Sequence, residues 1–320
     1  MRFSVLFLAV ALLCAVSQAE ARVYLDVYGQ SYKKVTIATP PFKGDASPSS
    51  SPGEMKRLLD RDLDLSGFFI VAPASVMDGG LRNEGNERKD IRFENWRSLG
   101  IDLVCKGSVQ ERADGGLSID AYLYDVSDGM LLFAKKYSGG PGEWRKMVHR
   151  IADDIVLAVT GERGVMSARI LFTSGDGRGR DVYLASIDGS EIQRLTSYGR
   201  LLVSPALSPD GRYLAFTSYK DGWPHLYVID LQKRREVYVN REEGTKNGAT
   251  WIDNRRIAYS HISGKHSTIY CHDVETGEHR TILRKEGILT SPSFTKDGKK
   301  MIFVSDMYGS PQVFSLTVDN

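Results

Sequence analysis

The sequence predicts an α/β domain, a mixed sheet with two main helices, followed by an all-β propeller. Two observations predict the propeller. The strand core Ile170-Leu171-Phe172-Thr173-Ser174 recurs at Leu214, Ile257 and Met301, in steps of 44, 43 and 44 residues. A second strand, Val182-Tyr183-Leu184, recurs as Leu226-Tyr227-Val228, Ile269-Tyr270 and Val313-Phe314-Ser315 with the same steps. A four-stranded unit repeating every 40 to 50 residues is the pattern of a propeller blade. A third observation predicts the first domain: before residue 164, helical and strand periodicities alternate.

Residues 1–21 read as a secretory signal. Arg2 supplies the charge, and Phe3 to Val16 is apolar but short for a membrane span. Small residues place cleavage after Ala19 or Ala21; a lipoprotein reading at Cys14 is weaker, because bulky Leu13 precedes it. Arg22, Val23, Tyr24, Leu25, Asp26 and Val27 alternate apolar and polar. They read either as a first strand or as an arm that adds to a partner's sheet edge. Tyr32 to Ala38 is a strand, and 40–52 a Pro- and Ser-rich loop. Met55, Leu58, Leu59 and Leu63 give Pro52–Leu65 a helical face, with Ser51 as its cap. Phe68 to Val71 is a buried strand, Asp78 to Arg92 a polar loop, and Glu94 to Leu99 a short helix. Ile101–Val109, Leu117–Tyr124 and Leu131–Tyr137 are three strands joined by Gly-containing turns. Trp144, Val148, Ile151, Ile155 and Val159 make one face of a helix that Gly161 and Gly164 end. These elements make the α/β domain, 22–163, and the propeller occupies 164–320.

The blade phrase is clearest at Ser204-Pro205-Ala206-Leu207, where a short inner strand runs through Ala206 and Leu207. A Pro209-Asp210-Gly211 turn leads into Tyr213–Ser218, and a loop with Asp221-Gly222 leads into Leu226–Ile229. Laid along the chain, the phrase gives about three and a half blades. The first lacks an inner strand and the last an outer one, which suggests an incomplete gene product.

A net charge of +2 demands neither nucleic acid nor an acidic membrane surface as partner. Cys105 and Cys271 fall in different domains and read as buried thiols. Neither G-x-S-x-G nor H-E-x-x-H occurs. No metal or cofactor is expected. Asp60, Asp62 and Asp64 have the opening spacing of a calcium loop, but Leu65 and Val71 stand where its Gly and final acid belong, so a solvated helix end is expected. His261, His266, Cys271 and His272 are too irregularly spaced for zinc. His149 reads as a packing or hydrogen-bonding histidine.

Asp62-Leu63-Asp64-Leu65-Ser66-Gly67-Phe68-Phe69, Trp96 with Leu99-Gly100-Ile101-Asp102 and Lys106-Gly107, and Tyr124-Asp125-Val126 resemble successive blocks of one family. So do His149-Arg150-Ile151-Ala152-Asp153-Asp154-Ile155, Thr160-Gly161-Glu162-Arg163-Gly164 and Arg169-Ile170. The chain resembles the TolB family, periplasmic components of the Tol-Pal system of the cell envelope. The resemblance implies six blades in the whole fold and a non-catalytic scaffold, monomeric when complete. It also implies that the propeller docks the Pal lipoprotein and that the N-terminal arm engages TolA, maintaining the outer membrane through envelope constriction and cell division. An alternative is the propeller of an exported prolyl-oligopeptidase-like serine peptidase whose catalytic domain is missing.

Binding residues are expected in the loops entering each inner strand, at the channel mouth: Val203 and Ser204; Lys246, Asn247, Gly248 and Ala249; Thr290 and Ser291. Small and polar side chains there leave backbone groups accessible. The arm residues Arg22 to Val27 are the second expected binding site.

Overall fold

The structure is a computed structural model that describes residues 33–44, 51–77, 80–176 and 179–318. The expected signal segment and the arm from Arg22 to Val27 lie outside the described residues. Contacts divide the chain into two compact units, Met1–Ser167 and Ala168–Asn320.

The first unit is a five-stranded mixed sheet. Strand β1 (Val35–Ala38) is followed by helix α1 (Pro52–Leu65), β2 (Phe69–Val71), α2 (Phe93–Ser98), β3 (Leu103–Glu111), β4 (Leu117–Asp125), β5 (Leu131–Gly139) and α3 (Trp144–Thr160). The sheet order is β2-β1-β3-β4-β5. Strand β1 runs parallel to both its neighbours, and β3, β4 and β5 are antiparallel. Ser51 caps α1, its side chain accepting from the Glu54 N–H at 3.3 Å, and Gly161 ends α3 at φ 76°. The two long helices pack on each other through buried faces that include Leu59, Leu63, Val148 and Ile155.

Two expectations are corrected in this unit. The acidic run at 60–64 is only partly a solvated helix end: Asp64 is exposed and Asp60 half-buried, but Asp62 is fully buried and lies 2.7 Å from Nδ1 of His149 on α3. The helical period puts Asp62 on the same face as Leu58, Leu59 and Leu63. Nor is the described part of the expected polar loop, 80–92, merely a loop. It forms short 3-10 turns and sends Glu84 into the core, where its carboxylate accepts from Trp96 Nε1 at 2.8 Å and faces Lys106 Nζ at 3.4 Å. A buried carboxylate needs such partners.

The second unit is four antiparallel sheets. The first is β6 (Arg169–Ser174), β7 (Asp181–Ser186) and β8 (Ile192–Arg194). The second is β9 (Leu202–Leu207), β10 (Tyr213–Ser218), β11 (His225–Asp230) and β12 (Arg235–Asn240). The third is β13 (Thr245–Trp251), β14 (Arg256–Ser263), β15 (His266–Asp273) and β16 (His279–Glu286). The fourth is β17 (Leu289–Phe294), β18 (Lys300–Ser305) and β19 (Gln312–Thr317).

The repeat has a physical basis in one cross-strand pair. Phe172 with Tyr183, Phe216 with Tyr227, Tyr259 with Tyr270 and Phe303 with Phe314 each sit in direct register, with ring centroids 5.6, 5.7, 5.7 and 5.8 Å apart. Such a pair adds about 0.5–1.5 kcal/mol beyond its burial. Strand β10 is buried along its whole length, so its sequence reads as a continuous apolar and small-polar run rather than an alternation.

Candidate functional site

The residues expected at the channel mouth do not lie in loops. They lie within the inner strands β9, β13 and β17, which begin four or more residues earlier than a strand through Ala206 and Leu207 implies. Pro205, Gly248 and Pro292 suggest turns in a sequence, but here they mark bulges.

Each inner strand carries the same irregularity. Val203 pairs with Thr217 and Ala206 with Ala215, so Ser204 and Pro205 together oppose Phe216. Asn247 pairs with Ser260 and Thr250 with Ala258, so Gly248 and Ala249 oppose Tyr259. Thr290 pairs with Val304 and Ser293 with Ile302, so Ser291 and Pro292 oppose Phe303. Two residues against one is a β-bulge. The first bulge residue is left-handed in every case: Ser204 at φ 53°, Gly248 at φ 60° and Ser291 at φ 53°. A non-glycine residue held there costs roughly 1–2 kcal/mol, and strain of this kind collects at functional positions.

The bulges of neighbouring blades meet. A Cβ added at Gly248 would stand 3.0 Å from the backbone N of Ser291. Thr290 Oγ1 donates to Asn247 Oδ1 at 3.2 Å, tying the third and fourth blades at that level. A second set of contacts fixes the spacing. Thr217 Oγ1 donates to the Lys246 carbonyl at 2.9 Å, and Ser260 Oγ, 43 residues on from Thr217, donates to the Leu289 carbonyl, also 43 residues on. The second strands of the second and third blades thus latch the inner strand of the next blade.

These latches correct part of the expected site. Lys246 is not an accessible channel residue: its side chain is fully buried, its Nζ donates to the Gly244 carbonyl at 3.2 Å, and its own carbonyl is taken by Thr217. Burial holds its ammonium below the usual lysine range. Ser204 and Ser291 are exposed, whereas Val203, Asn247, Gly248, Ala249 and Thr290 are half-buried. The structure therefore brings Asn247, Gly248, Thr290 and Ser291 together and removes Lys246 from the group.

The bulges lie two or three residues in from the end at which each inner strand begins, and that end of the second blade holds residues that the sequence reading missed. Leu202, Ser218 and His225 sit side by side in register, so the β10–β11 loop lies at the end where β9 begins. That loop carries Trp223, which is 74% exposed. With Tyr219, His225, Arg241, Glu242 and Glu243 it lines a cavity of about 860 Å³. An exposed tryptophan beside a cavity is a common anchor for a partner. The tripeptide Gly222-Trp223-Pro224 was the available signal, since an aromatic residue between two turn formers has no core to enter.

The groups brought together at the bulges, the Asn247 amide and the Thr290 and Ser291 hydroxyls, are uncharged hydrogen-bonding groups. Among the described residues there is no group of three or more His, Cys, Asp or Glu side chains able to hold a metal ion. His261 Nε2 lies 2.7 Å from the Glu243 carbonyl and His272 stacks on Tyr238 at 3.6 Å, so two members of the histidine–cysteine set are engaged elsewhere. Cys271 is buried, and burial raises its thiol above the ordinary range. Among the described residues no helix is long and apolar enough to cross a membrane.

Comparison with known proteins agrees with this architecture. Residues 23–132 match the TolB amino-terminal domain family, and residues 156–320 match the TolB beta propeller domain family. A protein TolB homolog of Chlorobium luteolum is 31% identical over 278 residues, which is 86% of this chain and 62% of that protein. The Tol-Pal system protein TolB of Bordetella parapertussis is 30% identical over 316 residues, or 98% of this chain and 70% of that one. The crystal structure of TolB from Acinetobacter baumannii superposes with a TM-score of 0.75 at 25% identity, covering 89% of this chain and 69% of that one. The chain thus spans somewhat under two thirds of the Chlorobium relative's length.

Proposed function

The chain belongs to the TolB family, and on that premise we propose that it is a non-catalytic periplasmic scaffold of the Tol-Pal system. In this reading the bulge end of the blades docks the Pal lipoprotein. The N-terminal arm, Arg22 to Val27, engages TolA by strand addition. Holding Pal and TolA through separate segments lets one scaffold couple the outer membrane to the constricting envelope during division.

The observation that carries the reading is the threefold repetition of one left-handed bulge, strained at Ser204 and Ser291. A bulge that served only to bend a strand has no need to recur with left-handed serines at Ser204 and Ser291. Recurrence produces an array instead. Asn247, Thr290 and the exposed Ser291 form a polar rim, and no large side chain stands on the bulges themselves, so a partner can approach the backbone closely. Trp223, on the same end of the blades, adds an apolar anchor. Val203, Ser204, Gly248 and Ala249 complete the proposed contact set, and Lys246 stands behind it as a structural residue.

The test is a calorimetric titration of the purified protein with the soluble domain of Pal. Replacing the exposed Ser291 by Arg places a long cation on the rim without entering the core or breaking the Thr290–Asn247 bond. The reading expects affinity to fall at least tenfold, about 1.4 kcal/mol or more, with the unfolding midpoint unchanged. Equal affinities for the two proteins would contradict it.

A further inference from the structure

The opposite end of the second blade carries a second site. Asp230 begins the β11–β12 hairpin, and its Oδ1 accepts from the N–H groups of Gln232 and Lys233 at 3.0 and 2.9 Å. Asp273 does the same in the third blade, accepting from Glu275 and Thr276 at 2.9 and 3.0 Å. The two hairpins are therefore equivalent position by position. Four residues after each aspartate the chain turns left-handed. In the third blade that position is Gly277 at φ 78°, and in the second it is Arg234 at φ 51°. Glycine adopts this conformation freely and arginine does not. Among the described residues the other left-handed non-glycine positions are Ser204 and Ser291, both at the proposed docking bulges. An arginine kept where the repeat uses glycine needs a reason outside the hairpin.

The side chain faces such a reason. Arg234 and Arg235 line a groove of about 790 Å³ between the first and second blades, which Arg169 and Arg194 line as well. Leu195 and Leu231, both half-buried, supply apolar lining. The positive charge is not balanced within the groove. Arg194 is paired with Asp181 at 2.5 Å. Glu236, the one carboxylate of the lining, is held by Lys220 and accepts from Tyr198 at 3.2 Å. Arg169, Arg234 and Arg235 make no ion pair among the described residues, and all three are exposed.

We propose that this groove is a docking site for an acidic, partly apolar polypeptide segment of a partner, with Arg234 and Arg235 as its principal charge contacts. Charge complementarity selects the occupant's sign, and a recessed cleft with leucines in its lining suits an extended peptide better than a flat membrane surface. Guanidinium groups bind carboxylates through two parallel hydrogen bonds, which explains arginine rather than lysine at both positions. The site is independent of the bulge end and of Pal docking.

A short fluorescein-labelled peptide of alternating glutamate and leucine, titrated by anisotropy against the full chain, tests the proposal. Binding is expected, weakening as sodium chloride is raised. The double variant Arg234→Gly/Arg235→Ser should bind about tenfold more weakly, the loss for two exposed charge contacts. It should also remain folded, because glycine suits the left-handed position. Lys299→Ser/Lys300→Ser on the fourth blade removes the same charge and should leave affinity unchanged. Equal loss in both double variants, no loss in the first, or arginine-dependent binding of phosphatidylglycerol vesicles in preference to the peptide would each overturn the proposal.

Discussion

Acidification should loosen the third blade through His272. This side chain is 5% exposed on β15, its ring stacked on Tyr238 at 3.6 Å and set edge-on to His279 at 5.7 Å. Its Nδ1 is buried without a hydrogen-bond partner among the described residues. Burial chiefly, with the neighbouring His279 adding to it and Asp273 opposing, pushes its pKa down to about 4 from 6.5. The folded chain therefore stays neutral there until pH falls near 4, while the unfolded chain takes up a proton near 6.5. Between those values the unfolded state binds more protons, so stability is present above pH 6.5 and is lost as pH falls towards 4. At about 1.4 kcal/mol per unit over the interval, the loss reaches about 3 kcal/mol. Replacing His272 by Phe keeps a flat ring against Tyr238 and removes the titration. At pH 7 the change should be neutral or slightly stabilising, since the unpartnered nitrogen disappears. Urea unfolding followed by tryptophan fluorescence, at a series of pH values from 7 to 4, measures the difference. The wild-type curve should fall below that of the variant by about 3 kcal/mol across the window. Parallel curves would refute the reasoning.

Three further outcomes follow from the same structure. Arg234→Gly should raise stability by about 1 kcal/mol by relieving the left-handed arginine, measured as an increased urea midpoint. His149→Ala, which takes the imidazole away from the buried Asp62 carboxylate, should cost about 3 kcal/mol, whereas His149→Gln should cost less if it reaches the same oxygen. Gly248→Val should lower the thermal midpoint and weaken Pal binding together, because its Cβ falls 3.0 Å from the Ser291 nitrogen at a position of φ 60°. A cost of about 2 kcal/mol is expected, and a fully native midpoint would count against the bulge contact.

The blade period was legible because the aromatic cross-strand pair sits at one place in every repeat, from Phe172 to Phe303. The first unit was legible for a similar reason: the stripes on Pro52–Leu65 and Trp144–Thr160 are long enough to carry a helical period. The bulges were not legible. A two-against-one pairing breaks the alternation at Ser204, Gly248 and Ser291, within stretches that read as loops. Lys246 misled for a different reason. Its ammonium finds a carbonyl inside the blade, and no local pattern distinguishes that from a solvated lysine. Glu84 is the same case in the first unit, a lone acid in a polar stretch whose partners Trp96 and Lys106 come from α2 and β3. Arg234 needed two hairpins to be superposed before its departure from glycine carried meaning.

The central claim is that the bulge end of the blades receives Pal. Hydrogen exchange of the full chain with and without Pal tests it most directly. The account predicts that protection on Pal addition concentrates at Ser204, Gly248, Ala249 and Ser291 and on the loop bearing Trp223, while the Arg234 hairpin at the opposite end exchanges as before. Protection confined to that hairpin, or no protected backbone at the bulges when Pal is bound, would contradict it.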